Sequence, residues 1–560
     1  MKTVIIGGVA GGATAAERLR RLDEKAEIVM LERGGFISYA NCGLPYYIGG
    51  EITDKEELTL QTPESFKARF NIDVRINNEA LSVNSKDKTL TVKNLQTGKT
   101  YTEKFDKLIL SPGASPARPP IDGMNSKRVF TLRNIPDTYA IKNFIDAEKP
   151  KSAVVVGGGF IGLEMAENLH NAGLQVSIVE FANQVLAPID FDMACAVHQH
   201  IRSKGVELLL GNGVKTIVEN TDKSLIVNLI NGSISADMVI MAVGVKPDIA
   251  FLKDSGIALN ERGYIITNEK MQTNIADIYA VGDAVEVADF ITHQKTMVPL
   301  AGPANKQGRI AADVICSISS AYTGTQGSSI LKVFDLTVAS TGVNEKTANR
   351  LGLKYEKSFT VSSSHAGYYP GALPMTIKTV FDPDNDKIIG MQIVGFEGVD
   401  KRCDVVAAAI RFGASARDLT QLELCYAPPY SSAKDPVNMA GYVIENIIAS
   451  KVKIFHWHDV ESLDKDKVTL LDVRTKEEFS LGAMPNFKNI PLDEIRERMS
   501  EIDRTKPVYL TCQVGLRGYV AARILSQNGF DACNLSDGYA VWKSVMDGSS
   551  EIRKTTKYGK

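Results

Sequence analysis

Cysteine is scarce in this chain. Seven occur in 560 residues, no two form a Cys-x-x-Cys pair, and no regular spacing joins them. This argues against a disulfide-stapled scaffold and a cysteine-rich zinc cluster; no metal site is expected, and a reducing, cytoplasmic setting fits. An excess of either charge is also missing, with 64 Lys and Arg against 66 Asp and Glu. Such a balance implies no footprint for nucleic acid or for a membrane surface. No apolar run approaches the ~20 residues that a membrane-spanning helix needs. The stretch of Lys2 and then Val4 to Ala16 imitates a secretory signal, but its glycines and the downstream Glu32 fit a nucleotide-binding turn better. A chain of this length exceeds one hydrophobic core, so three or four domains are expected.

What is present is a signature used twice. Thr3 to Ile6 reads as a buried parallel strand, Gly7-Gly8-Val9-Ala10-Gly11-Gly12 as a turn, and Ala13 to Leu22 as a helix. Glu27 to Leu31 is the next strand and ends in Glu32, twenty residues after Gly12. This is the dinucleotide pattern: a tight turn, a pyrophosphate on a helix N-terminus, and an acid for ribose hydroxyls. Val9 replaces its second glycine. The pattern returns complete after the strand Ser152 to Val156, as Gly157-Gly158-Gly159-Phe160-Ile161-Gly162, with a helix to His170 and a strand from Gln175 to Val179 ending in Glu180. Two such turns imply two dinucleotides. A glutamate at the second strand end favours the free ribose of NADH, where an arginine would suit NADPH.

Between and after these turns lie Ser111-Pro112-Gly113-Ala114, a strand from Asp237 to Val243, and Gly282-Asp283-Ala284. Asp283 is expected just before a helix, either accepting from a sugar-like hydroxyl or acting as an N-cap. A helix beginning near Pro299 can aim its positive end at a flavin carbonyl. Beyond residue 327 the texture changes to alternating strands with helices near 401–413 and 436–449. Two tyrosine-rich loops there, around Tyr368 and Tyr426, suggest an interface. The last stretch reads as a separate α/β domain, with a strand ending in Asp472-Val473-Arg474 and the loop Cys512-Gln513-Val514-Gly515-Leu516-Arg517.

Everything upstream and downstream is arranged as if to deliver electrons to one cysteine, in Ser38-Tyr39-Ala40-Asn41-Cys42-Gly43-Leu44-Pro45-Tyr46-Tyr47. A helix N-terminus and nearby donors such as Asn41 are expected to lower its pKa and favour the thiolate. The alternative is a small buried apolar residue.

Residues 1–450 resemble the pyridine nucleotide–disulfide oxidoreductases, most of all their coenzyme A-disulfide reductase branch, on the stretch 38–49, both glycine turns, Gly282-Asp283 and the tyrosine loops. Residues 455–546 resemble a rhodanese domain, and the fusion resembles NADH-dependent persulfide reductases. The resemblance implies an α/β chain with two Rossmann-like domains, FAD-binding over 1–112 and 250–325 and NAD(P)H-binding over 113–249. An α+β dimerisation domain (326–448), a linker (449–456), a rhodanese domain (457–546) and a C-terminal tail (547–560) would follow. It implies that Cys42 is the redox cysteine and that Gly7, Gly8, Gly12, Glu32, Arg33, Asp283 and Ala301 hold FAD. Gly157, Gly159, Gly162 and Glu180 would hold NADH. Ser38 and Asn41 would lie beside the substrate sulfurs, and Arg18 and Arg21 would meet coenzyme A phosphates. Tyr368 and Tyr426 would reach Cys42 of the partner in a homodimer, as proton donors.

Disulfide reductases with two redox cysteines carry Cys-x4-Cys, but Tyr47 stands where the second would be, so the second sulfur comes from a substrate. Peroxidase relatives carry a histidine in the first glycine turn, where this chain has Val9-Ala10. Reduction of coenzyme A persulfide, polysulfide or disulfide by NADH is therefore expected. Cys512 would carry sulfane sulfur in a cradle of loop amides that Arg517 closes. Gly482-Ala483-Met484-Pro485 departs from the rhodanese pattern, where Gly-His is common. Two rivals are an oxidase or peroxidase cycling Cys42 through a sulfenic acid, and a redox-sensing flavoprotein that docks partners through its C-terminal domain.

Overall fold

The computed structural model describes residues 1–555. The chain forms two compact units, one of residues 1–179 with 213–325 and the other of 180–212 with 326 onward.

The first unit repeats one plan. Lys2–Ile6 is the middle of a five-stranded parallel sheet, flanked by Glu27–Glu32 and Lys107–Leu110, with Asp73–Ile76 and Ile278–Ala280 at the edges. Val4 and Ile5 are fully buried, as both faces of a parallel sheet require. The helix Ala10–Leu22 follows and buries Gly11, Gly12, Ala13, Ala15 and Ala16. Its partner is Ala301–Ile315, and the two close so tightly that a Cβ on Gly308 would lie 2.3 Å from the Gly11 carbonyl oxygen. The second half places Ser152–Val156 between Gln175–Val179 and Met238–Met241, all parallel. Each half also carries a three-stranded antiparallel sheet, Asn78–Asn84 to Thr100–Lys104 and Val214–Glu219 to Ser233–Ala236.

The second unit holds two sheets. Five antiparallel strands run in the order Ser329–Val333, Leu336–Gly342, Ile388–Gly395, Pro374–Phe381, Glu356–Ser363. Helices Val399–Arg411 and Pro436–Ile448 belong to this half. A buried lysine organises its polar interior. Lys378, with its side chain fully buried, donates to Asp192 at 2.8 Å and to Glu345, and lies 3.1 Å from Asp190. The C-terminal sheet is parallel, in the order Lys453–Phe455, Ala532–Leu535, Val508–Thr511, Thr469–Asp472, Lys488–Asn489.

Three expectations change. The stretch 449–456 is not simply a linker, because Lys453–Phe455 pairs as an edge strand with Ala532–Leu535. The tail expected from 547 continues the helix Gly538–Thr555, and 556–560 lie outside the described residues. Asp283 precedes a buried strand, Val285–Ala288, and not a helix, so it caps nothing. Among the described residues no helix is long and apolar enough to cross a membrane.

Candidate active site

The two glycine turns are built alike. Gly7 and Gly157 have φ of +95° and +109°, where an L side chain is strained. A Cβ on Gly12 would lie 1.9 Å from the Gly7 carbonyl oxygen, and one on Gly162 1.9 Å from that of Gly157. These glycines let each helix start against its strand. A Cβ on Gly159, by contrast, would meet nothing within 4 Å. That open approach suits a backbone that must come close to a pyrophosphate. Neither Ala10–Leu22 nor Phe160–Asn171 has a side-chain cap, so their first amides are free to bind phosphate oxygens. The donor sets therefore fit two dinucleotides.

Glu32 is fixed by the turn it serves, accepting from the Gly8 amide at 2.9 Å and the Gly34 amide at 2.7 Å. Glu180 accepts from the Ala182 amide at 2.7 Å. Arg33 pairs with Asp248 at 2.7 Å, and Ala301 opens a helix without a side-chain cap. Asp283 accepts from Arg133 at 2.8 Å, a partner with no motif around it to mark it in the sequence. The neighbouring Gly282 amide is held by the buried Gln307 at 2.7 Å. Arg18 is engaged by Asp313 at 2.7 Å, and Arg21 by Glu17 at 3.3 Å on the surface.

Ser38 links the cysteine stretch to the first turn. Its amide donates to the Gly8 carbonyl at 2.8 Å, and its φ of +43° is one that few non-glycine residues adopt. Such stored strain recurs at functional sites. Asn41–Gly43 then form a 3-10 turn leading into the helix Leu44–Gly49, with Cys42 exposed. That helix lies against Phe160–Asn171, since a Cβ on Gly49 would sit 2.2 Å from Asn168 Oδ1. The cysteine is thus joined to the first glycine turn through Ser38 and to the helix of the second through Gly49.

The electrostatics around Cys42 correct the expectation of a lowered pKa. Desolvation pushes the thiol up, the Glu164 and Asp283 carboxylates push it further, and Arg133 opposes them. Glu164, on the second turn's helix, is itself raised to about 7 by burial and by Glu167, against a hydrogen bond with Tyr46. Its signal was its place two residues after Gly162.

In the second unit the hydroxyls of Tyr368 and Tyr426 lie 2.7 Å apart. Both side chains are exposed. Their shared hydrogen bond raises the Tyr368 pKa. Cys512 is fully buried at the start of its loop, and Gly515 turns that loop with φ +90°. The amides of Gln513, Val514 and Gly515 donate to no other group among the described residues, so the cradle is present. Arg517 ends the loop within electrostatic reach of the Cys512 sulfur. Its guanidinium forms a two-pronged bond with Glu478, both contacts at 2.7 Å. Arg474 is buried on Asp472 and stacks 3.9 Å from the centre of the Tyr539 ring.

Residues 1–308 match the pyridine nucleotide-disulphide oxidoreductase family, 328–436 its dimerisation domain and 459–545 the rhodanese-like domain. A coenzyme A disulfide reductase of Staphylococcus epidermidis is 38% identical over 443 residues, 79% of this chain and 99% of the relative. A solved structure of reduced Bacillus anthracis CoADR-RHD is 51% identical with a TM-score of 0.95, covering 98% of each chain. A NAD-dependent persulfide reductase from A. fulgidus is 36% identical with a TM-score of 0.90, covering 97% of this chain and all of that one. The water-forming NADH oxidase of Lactobacillus brevis, solved with NADH, is 28% identical with a TM-score of 0.77 over 80% of this chain and 99% of its own. The chain belongs to the pyridine nucleotide-disulphide oxidoreductases, in the branch of the coenzyme A disulfide reductases that carry a C-terminal rhodanese domain. The family works with FAD and NAD(H).

Proposed function

We propose that the chain reduces coenzyme A persulfide, polysulfide and coenzyme A disulfide with NADH, through Cys42 as its single redox cysteine. The observation that carries this reading is the placement of one exposed thiol between two dinucleotide turns, with a tyrosine in the position of a second cysteine. FAD, when bound by the first turn, Glu32 and Asp283, supplies two-electron transfer from nicotinamide to sulfur. The Cys42 thiolate attacks the outer sulfur of a coenzyme A persulfide, and coenzyme A leaves with the bonding pair. Two electrons from NADH then return Cys42 to the thiolate and release sulfide. With coenzyme A disulfide the same attack leaves a mixed disulfide, and NADH and one proton are consumed for two thiols. In a homodimer, Tyr368 and Tyr426 of one subunit serve Cys42 of the other as proton donors, a reading their shared hydrogen bond supports. Cys512 carries sulfane sulfur on its loop amides. The lack of cysteine pairs supports a cytoplasmic setting.

The test is anaerobic NADH oxidation with coenzyme A persulfide and with coenzyme A disulfide, for wild type, Cys42→Ser and Cys512→Ser. Loss of turnover in Cys42→Ser, with sulfide still formed by Cys512→Ser, upholds the reading. Retained turnover in Cys42→Ser overturns it. The likeness to the L. brevis oxidase supports a second reading, reduction of oxygen, which aerobic turnover without any sulfur substrate would favour.

A further inference from the structure

The Cys512 loop has two arginines beside it, and each already has a carboxylate. Arg474 and Asp472 are both buried and bonded through Nη2 at 2.7 Å. Arg517 and Glu478 form the two-pronged pair, with side chains 32% and 34% exposed, so this pair meets solvent. Glu478 is itself positioned. It is the third residue of the helix Lys476–Ser480, accepts from the Thr475 amide at 2.9 Å, and donates its own amide to Thr475 Oγ1 at 3.2 Å. Arg517 holds its carboxyl down at about 2, so the pair stays ionised at any working pH.

The charges of the two pairs cancel. What remains is the set of loop amides and an apolar rim. Leu481, three residues after Glu478, is 89% exposed, and Leu516, next to Arg517, is 59% exposed. Val520 follows Leu516 by one turn of the helix Leu516–Gln527 and is exposed on the same face. Loop amides carry partial positive charge, enough to receive one anionic sulfur. A compact dianion such as thiosulfate would bring a second charge towards the Glu478 carboxylate and the leucines, and lose hydration without a counter-charge. An organic persulfide places only its terminal sulfur among the amides and lays its carbon chain on the rim.

We propose that Glu478 is a specificity-determining residue, which by neutralising Arg517 makes Cys512 accept sulfur from organic persulfides on apolar thiol chains and discriminate against thiosulfate. This rests on the reading of Cys512 as a sulfur carrier. In the step, the Cys512 thiolate attacks the terminal sulfur of R–S–SH and the S–S bond breaks. The R–S group leaves as a thiolate with the bonding pair, and the proton stays on the transferred sulfur. No net oxidation occurs.

The experiment uses the full chain with Cys42→Ser, anaerobically, so that loaded sulfur is not reduced away. The persulfide of N-acetylcysteamine and thiosulfate are offered separately, and one added sulfur on the Cys512 peptide is followed by mass spectrometry. Loading is expected to be faster from the persulfide. Glu478→Gln, which can keep the bond to the Thr475 amide, is expected to raise the thiosulfate rate relative to the persulfide rate by roughly five-fold, the scale of one partly exposed ion pair. Glu478→Asp should return the ratio towards wild type, which a merely structural loss would not do. An unchanged ratio in Glu478→Gln, or a wild type that prefers thiosulfate, overturns the proposal and leaves Cys512 a sulfur carrier. Failure of both donors to load Cys512 overturns the sulfur-carrier reading and the proposal together.

Discussion

Arg133 donates to the carboxylate of Asp283 at 2.8 Å, and the two bear with opposite sign on the Cys42 thiol. The pair couples the proposed flavin-holding aspartate to the sulfur. Removing the arginine leaves Asp283 uncompensated, so Arg133→Met should raise the Cys42 pKa and weaken FAD retention. With both side chains about a fifth exposed, an effect of roughly 1 kcal/mol, or about five-fold in retention, is expected. Flavin absorbance after dialysis and the pH profile of Cys42 alkylation measure the two effects.

Glu164 predicts a second inflection in that profile. Its carboxyl, raised from 4.5 to about 7, becomes charged as pH rises through neutrality and then opposes the thiolate. Glu164→Gln should therefore remove an inflection near pH 7 and shift Cys42 to lower pKa. The stability effect has a defined sign. The folded chain binds more protons here than the unfolded one between about 4.5 and 7, so this group's contribution falls as pH rises across that window. The glutamine variant should gain, relative to wild type, on the order of 2 kcal/mol above pH 7, read from denaturant unfolding.

The local parts of this site could be read in the sequence, and the pairings could not. Gly7, Gly12, Gly157 and Gly162 are legible because a strand-to-helix turn needs glycine at fixed offsets, and those offsets survive in one dimension. The positions of Arg133 beside Asp283 and Glu478 on Arg517 come from contacts 150 and 39 residues apart. No periodicity encodes such contacts. The Cys42 environment is hidden for the same reason: a helix N-terminus can be inferred locally, but the desolvation that raises the thiol pKa, and the Glu164 and Asp283 carboxylates that add to it, come from segments distant in sequence. Lys453–Phe455 reads as linker in the sequence because a three-residue edge strand is too short to show alternation. The helix to Thr555 runs through Gly548-Ser549-Ser550, residues of weak helix preference, where tertiary packing is close: a Cβ on Gly548 would lie 3.0 Å from Cys195 Sγ.

The hydrogen bond between Tyr368 and Tyr426 predicts non-additivity. If the two hydroxyls act as one proton-donating unit, each phenylalanine variant should lower turnover of coenzyme A disulfide by roughly a hundred-fold. The double variant should be hardly worse than the slower single one. Independent roles would multiply the losses. Steady-state kcat and KM for the four forms decide between them, and an effect confined to KM would point to packing alone.

Lys378 gives the acid limit of the second unit. Burial alone would push the Glu345 carboxyl up, yet Lys378 and Lys357 hold it down at about 2. A depressed carboxyl contributes stability above its ordinary range near 4.5, and the contribution is lost as pH falls from there towards 2. Trp457, at the start of the C-terminal domain, donates its indole N–H to Asp192 at 3.2 Å, so this network also joins that domain to helix Phe191–Ser203. Lys378→Met removes the cation but leaves Asp190, Asp192 and Glu345 together, and should cost about 3–5 kcal/mol at neutral pH. The loss should shrink on acidification, because carboxylates without the lysine take up protons more readily. Thermal unfolding of wild type and variant at pH 7 and pH 5, followed by tryptophan fluorescence, measures this. An equal loss at both pH values would mean that Lys378 contributes through packing and not through charge.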